Sequence, residues 1–409
     1  MQRMAEILSS TFNYNIHIYT SNAIDFKALR EPEGKTIKEN DNNFNTVNNL
    51  SIQRCGTTYD DSFEQVFDKL KRIREVKSLN IPDESLISFM KNGPISLDML
   101  DRLLTSSDLS YDLVHTTFFP YFNLITSLII GKKLNRQVVC TPFFHYSNPR
   151  YDNKDLHDIL KKFDHLIACT HAEKRYLFEK IGISGNKISV IPMGVDYEKF
   201  KPKKGQHANF KTKYFAPDQR KYHLVLFCGY KNYEKGALSI LKAIPHIIKE
   251  VRKTYFVFIG PATLAFNREL SKLRQSHDPL VINFTPDNLT GYFDSKKIAA
   301  FKEADLYLMP SRSDAFGIAF LEAWAAGKPV IGANIGATPE VIRENVDGLL
   351  VEFDNPKAIA EKTIFLLKKK RLRKKLGSTG SVRVSKNYRW IHVARMTDNL
   401  YKTLIPTRS

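Results

Sequence analysis

The sequence predicts an α/β protein built of two doubly wound domains. Three observations carry that prediction. The chain has 409 residues, more than one hydrophobic core usually organises. Short apolar runs alternate with amphipathic ones through the second half. A break rich in Pro, Gly and Lys lies near the middle. In the second half, strands are expected at residues 223–227, 255–259, 281–284, 305–309 and 329–332, with helical spacing of apolar residues at 237–249, 264–275, 296–303 and 320–326. Uniformly apolar strands suit a sheet buried on both faces, and the strand–helix rhythm makes it parallel. Such a sheet binds ligands at the carboxyl ends of its strands.

The first half repeats the rhythm more faintly, with strands expected at 15–20, 113–115, 137–141 and 165–169, and a polar loop over 31–49. The run Ile191-Pro192-Met193-Gly194-Val195-Asp196, followed by Phe200-Lys201-Pro202-Lys203-Lys204-Gly205, reads as the linker. This places a first domain over 1–200 and a second over 201–386, with a terminal helix over 387–409.

Composition narrows the class. Hydrophobic residues make up 43% and charged residues 26%, which is ordinary for a globular protein. The longest apolar stretch, 114–130, is broken by His115, Thr116, Thr117, Pro120 and Asn123, short of the roughly 18 uninterrupted residues of a spanning helix. No secretory signal opens the chain, so the expected location is the cytoplasm. Cys55, Cys140, Cys169 and Cys228 are widely spaced, and three sit in apolar runs, as reduced buried thiols do. A net charge of +19 attracts nucleotides, phospholipid headgroups or nucleic acid without choosing among them. The densest cluster, Lys368 to Lys375, reads first as a solvated helix end, with peripheral docking at the inner membrane face as its competitor. The basic residues lack the aromatic interleaving of nucleic-acid modules, which argues against that partner.

The chemistry concentrates in Asp314-Ala315-Phe316-Gly317-Ile318-Ala319-Phe320-Leu321-Glu322, between an expected strand and an expected helix. Amides at a helix N-terminus can hold phosphate oxygens, and flanking carboxylates can accept hydrogen bonds from sugar hydroxyls. Acids at this spacing are common on helix surfaces; the specificity lies in the embedding, with Pro310-Ser311 before, Gly327-x-Pro329 after, and Gly336-x-x-x-Glu340 beyond. A second loop, Gly229-Tyr230-Lys231-Asn232-Tyr233-Glu234-Lys235-Gly236, follows the strand at 223–227. A fixed cation there would stabilise charge developing on a departing diphosphate. A third segment, Thr141-Pro142-Phe143-Phe144-His145, sets a histidine just past a first-half strand, whereas His115 sits in an apolar run and reads as structural.

These segments resemble the group 1 glycosyltransferases, retaining enzymes of the GT-B fold with a Glu-x7-Glu signature. The likeness extends over nearly the whole chain and is densest from Leu308 to Val351. It implies two Rossmann-like domains facing across a cleft, with the terminal helix crossing back to the first. It further implies that Asp314 holds the donor sugar, Glu322 the ribose, and the amides of Phe316, Gly317, Ile318 and Ala319 the phosphate. Gly229, Lys231 and Lys235 line the donor side, and His145 faces the sugar from the first domain. Catalysis would then rest on His145, Lys235 and Asp314. Two positions depart from the family pattern: Asp314 stands for the usual glutamate, and Tyr230 for the usual arginine.

The resemblance also implies an opening strand and glycine-rich loop ahead of the helix ending at Met4–Leu8; the expectation is a first domain lacking that strand, as in a piece of a longer chain. No Asp-x-Asp metal motif or Walker sequence appears. The expected reaction is metal-independent transfer of a hexose from a UDP or GDP sugar, a co-substrate with no further cofactor, to a saccharide or lipid-linked hydroxyl. The alternatives are a glycan phosphorylase or disaccharide synthase on the same scaffold, and a sugar-nucleotide-binding remnant without activity.

Overall fold

The computed structural model describes residues 1–38, 46–48, 50–59, 62–107, 109–203, 205, 208–277 and 279–405. The chain forms two compact units, one comprising Met1–Pro192 with the terminal segment from Val393, the other Met193–His392. The sequence reading set the boundary at residue 200; here residues 193–200 belong to the second unit, where the Val195 N–H donates to the Tyr388 carbonyl and Phe200 packs on Phe301.

The first unit holds β1 (His17–Ser21), β2 (Thr46–Val47), β3 (Leu50–Cys55), β4 (Val114–Thr117), β5 (Val138–Thr141), β6 (His165–Ala168) and β7 (Ile188–Val190). Strands β4 to β7 form one parallel sheet in that order. In a separate sheet β1 pairs with β3 in parallel, and β2 lies antiparallel on the other side of β3. Part of the stretch expected as a loop is therefore strand, at Thr46–Val47; residues 39–45 and 49 of it lie outside the described residues. Strand β3 itself escapes an apolar-run criterion because only its two end residues, Leu50 and Cys55, are buried and polar Ser51, Gln53 and Arg54 lie between them. Four helices, Phe63–Arg72, Arg74–Leu79, Asp83–Asn92 and Leu97–Thr105, follow it. Their leucines and phenylalanines join those of the helix Asn123–Leu134 in one core. The terminal helix Trp390–Leu404 returns Asp398 and Tyr401 to this unit, where the Tyr14 hydroxyl donates to Asp398 at 3.0 Å.

The second unit contains β8 (His223–Cys228), β9 (Thr254–Ile259), β10 (Leu280–Phe284), β11 (Leu306–Met309), β12 (Val330–Ala333) and β13 (Gly348–Val351). They make one parallel sheet in the order β10-β9-β8-β11-β12-β13. Each strand of β9, β11 and β12 is buried along its whole length, as helices on both faces require. The order carries the functional consequence. From β8 the chain winds outward through β9 and β10, then returns to lay β11 against the other side of β8 and winds away through β12 and β13. The strand order therefore reverses between β8 and β11, and in sheets of this kind ligands bind at the carboxyl ends of the strands that flank the reversal.

Candidate functional site

The two loops singled out in the sequence are the ones that leave β8 and β11 at this switch point. Gly236 lets them approach: its φ is +72°, and a Cβ there would stand 2.3 Å from the carbonyl oxygen of Pro310. The backbone N–H of Arg312 donates to the Glu234 carbonyl at 2.8 Å, and the Arg312 guanidinium grips the Glu234 carboxylate with both Nε and Nη2. Across this seam the Lys235 ammonium donates to the Ser313 carbonyl at 2.9 Å and to Asp314 Oδ1 at 2.5 Å. The Ser311 hydroxyl donates to the other oxygen of Asp314. The cation and the first acid are thus brought together, both partly shielded from water.

From Asp314 the chain enters the helix Ile318–Ala325 through Gly317, whose φ is +86° and which, as a glycine, offers the helix no side-chain cap of its own. The N-terminal amides of this helix open beside Asp314, with the partial positive charge such termini carry. One turn further, Glu322 is 1% exposed and its Oε1 lies 2.8 Å from the Lys297 ammonium. Lys297 stands on the helix Ser295–Glu303 and sits 3.7 Å from the centre of the Tyr292 ring. The Tyr292 hydroxyl donates to Glu322 while more than half of its side chain remains exposed. Loss of water raises the Glu322 pKa and the repulsion of Asp196 adds to it; Lys297 and the tyrosine hydroxyl oppose the rise.

Two expected donor residues take other places. Lys231, read as a candidate cation for the diphosphate, is fully buried. Its ammonium donates to Asn283 Oδ1 at 2.6 Å and to the Phe284 carbonyl at 2.7 Å, so it ties the end of β10 to the loop after β8. Burial brings its pKa down to about 8. Gly229 gives its N–H to the Ile259 carbonyl at 2.9 Å, so that amide is engaged at the end of the sheet. Tyr230, where the family pattern has arginine, is nearly half exposed. The arginine present in these loops is Arg312, engaged by Glu234.

Sequence reasoning missed Lys297 and Tyr292, because they lie on the stretch between β10 and β11, remote from either motif in the chain. The basic cluster also divides. Arg373 is buried, bonded to the carbonyls of Leu366 and Leu367 and, at 2.9 Å, to Asp305. Lys374 and Lys375 stay exposed on the helix Lys370–Asn387.

His145 belongs to the first unit, in the loop leaving the carboxyl end of β5, with its ring centre 5.2 Å from that of Tyr151. The neighbouring loops hold two bulky residues in the left-handed region, Phe118 after β4 with φ +71° and Phe143 after β5 with φ +50°; each such residue costs roughly 1–3 kcal/mol. His115 takes a structural place: its Nε2 meets the Thr141 hydroxyl at 2.8 Å, its Nδ1 meets Tyr401, and loss of water holds its pKa down to about 3.

Family comparison agrees with this geometry. Residues 210–383 match the model of glycosyl transferases group 1, and residues 55–199 match that of glycosyltransferase family 4. The chain belongs to the group 1 glycosyltransferases. A D-inositol 3-phosphate glycosyltransferase of Streptomyces bingchenggensis is 30% identical over 250 residues, 58% of this chain and 52% of that protein. The chain therefore spans about half the length of that relative. Among solved structures, the sucrose-phosphate synthase of Thermosynechococcus elongatus superposes with a TM-score of 0.69 at 17% identity, covering 98% of this chain and 92% of that one. Anabaena HepE in complex with UDP and glucose superposes with a TM-score of 0.65 at 14% identity, covering 87% of each chain. The group 1 transferase described here has the GT-B fold, with a parallel, helix-covered sheet in each unit.

Proposed function

We propose that this chain transfers a hexose from a nucleotide-diphosphate sugar to a hydroxyl acceptor with retention of anomeric configuration. The observation that carries the reading is the meeting of Lys235 and Asp314 at the β8–β11 switch point, just ahead of a helix whose N-cap residue is Gly317. A sugar diphosphate has the matching parts in the matching order: hydroxyls for the carboxylate, anionic oxygens for the ammonium and the amides, and ribose hydroxyls for Glu322. The UDP bound in the structurally similar HepE is consistent with a uridine donor.

In this reading the bond between the anomeric carbon and the phosphate oxygen breaks as charge builds on the departing diphosphate. Lys235 and the amides at 316–319 stabilise that charge more strongly in the transition state than in the bound donor. The acceptor oxygen bonds the anomeric carbon on the face being vacated, and its proton passes to the leaving phosphate oxygen. Asp314, one methylene shorter than glutamate, reaches the sugar from a position set by Lys235 and Ser311. The charge on the diphosphate is met by protein groups, so chelation of divalent ions leaves turnover unchanged.

The test is nucleotide release from UDP- and GDP-hexoses by the purified protein in EDTA, with the anomeric configuration of the product read by NMR. Lys235→Ala and Glu322→Ala should each lower turnover by about tenfold or more at retained fold. Near-normal turnover in both would overturn the site assignment. Binding of UDP or GDP without release from any donor would mark the chain as a nucleotide-binding remnant, the reading that Asp314 and Tyr230 favour.

A further inference from the structure

We propose that the acceptor is a pyranoside, taken by the face of its ring on an aromatic platform formed by Phe118 and Phe143. The inference rests on the transferase reading for the word acceptor, and on the first unit alone for the platform.

Strands β4 and β5 are neighbours, and each ends in a loop that carries a Phe-Phe pair, Phe118-Phe119 and Phe143-Phe144. In each pair the second ring goes inward. Phe119 and Phe144 are buried with centroids 5.1 Å apart. The first rings come out: Phe118 is 52% exposed, and its centroid lies 5.0 Å from that of Phe143 with the planes 40° apart. This outward turn requires the left-handed backbone at both residues, a conformation that glycine adopts freely and phenylalanine resists.

The surroundings hold that strain in place. The amide of Asn123 donates to the Thr117 carbonyl at 2.9 Å, one residue before Phe118. Oε1 of the buried Glu173 accepts from the Phe144 N–H at 2.9 Å, one residue after Phe143. Between the loops, the Phe119 N–H donates to the Pro142 carbonyl at 2.9 Å. A loop selected for stability would carry glycine or asparagine at such positions. Two phenyl rings kept there side by side, Phe118 half in water and Phe143 partly covered, at the carboxyl ends of parallel strands, are placed for a ligand rather than for the core.

The chemistry of that ligand follows from the platform's form. The pyranose ring turns a face of C–H groups outward, which covers an aromatic surface while the hydroxyls at its rim stay with polar groups. His145, two residues beyond Phe143, is such a group within the same loop.

The experiment titrates wild-type, Phe118→Gly and Phe143→Gly protein with methyl β-D-glucopyranoside, methyl α-D-mannopyranoside and methyl β-D-galactopyranoside by saturation-transfer NMR, with glycerol and octanol as competitors. At least one pyranoside is expected to bind the wild type and to lose about tenfold in affinity in both variants. Because glycine relieves the strain, the variants should melt no lower than the wild type, which a structural role for the rings forbids. The proposal is overturned if no pyranoside binds the wild type, if affinity survives in the glycine variants, if octanol displaces the sugar, or if the variants melt lower. Nucleotide release from UDP-glucose by the wild type, measured in parallel, separates the two readings: its absence beside intact pyranoside binding strikes the transferase reading and leaves the platform standing.

Discussion

The Lys297 ammonium lies 2.8 Å from Glu322 Oε1 with both side chains almost wholly removed from water. This pair joins a residue outside every recognised motif to the acid that the family pattern assigns to the ribose. A buried carboxylate without a cation beside it would rather be neutral, and a neutral acid is a poorer acceptor for two hydroxyl donors. On the proposed reading of Glu322, Lys297 has a positioning part, acting through that carboxylate.

Lys297→Met should destabilise the fold by roughly 3–5 kcal/mol at neutral pH, the usual consequence of removing one partner of a buried pair. The double variant Lys297→Met/Glu322→Gln should recover much of the loss, because no charge is left behind. Without Lys297 the Glu322 pKa moves further above its unfolded value. Protonation then favours the folded state, so the deficit of the single variant shrinks as pH falls toward the carboxyl range. Urea unfolding of the three proteins at neutral and mildly acidic pH checks both statements; a deficit independent of pH would contradict them.

Lys231 offers a second pH dependence, of opposite sense. Its folded pKa is about 8 against 10.5 for the free side chain. Between these values the unfolded chain binds the extra proton, so this group makes the fold more stable as pH rises through that window. In Lys231→Met the contribution vanishes, and the melting temperature should climb less, or fall more, from about pH 7.5 to about pH 10 than in the wild type. Parallel slopes would show that the ammonium is not desolvated.

Gly236→Ala should cost at least about 1 kcal/mol, since the residue needs a positive φ and its Cβ would meet backbone. The displaced atom is the carbonyl of Pro310, so the loop bearing Asp314 must shift relative to Lys235. Turnover should fall with it, by more than the loss of folded protein accounts for; thermal melts and activity at a temperature where the variant is fully folded separate the two.

Within the basic cluster, Arg373→Ala should destabilise by roughly 1–3 kcal/mol, because it removes the guanidinium bonds to the Leu366 and Leu367 carbonyls and leaves Asp305 to Lys211, His223 and the Leu224 N–H. Lys374→Ala and Lys375→Ala, being exposed, should stay within about 0.5 kcal/mol. Only the latter two should weaken co-sedimentation with vesicles rich in phosphatidylserine, if the cluster docks on anionic lipid. Chemical denaturation and sedimentation of the three single variants make the comparison.

Much of the second unit was legible in the chain. Strands β9, β11 and β12 are buried along their whole length because both faces are covered, and apolar runs of this kind are found to within a residue or two: β9 was expected at 255–259 and is Thr254–Ile259. The loops after β8 and β11 were legible for a different reason. A tight turn at a strand end needs glycine, and a site for a sugar diphosphate needs a cation and acids beside it, so Gly236, Lys235, Asp314 and Glu322 stand near their punctuation in the sequence. Strand β3, half apolar, and β2 and the helices at 63–105, in a stretch without motifs, were not legible.

What the sequence determined by itself is the class of fold and the chemical kinds of group at the site, since both follow from local patterns of period and turn. What only the tertiary structure decided is which of those groups meet. Lys231 and Lys235 are four residues apart in one loop, yet one ammonium is enclosed by carbonyl and amide oxygens and the other faces Asp314. Glu322 finds its cation 25 residues upstream, and Phe118 finds Phe143 in the loop that leaves the neighbouring strand. The direction of a side chain depends on where the sheet sets its neighbours, and strand order is a non-local property that no window of sequence contains.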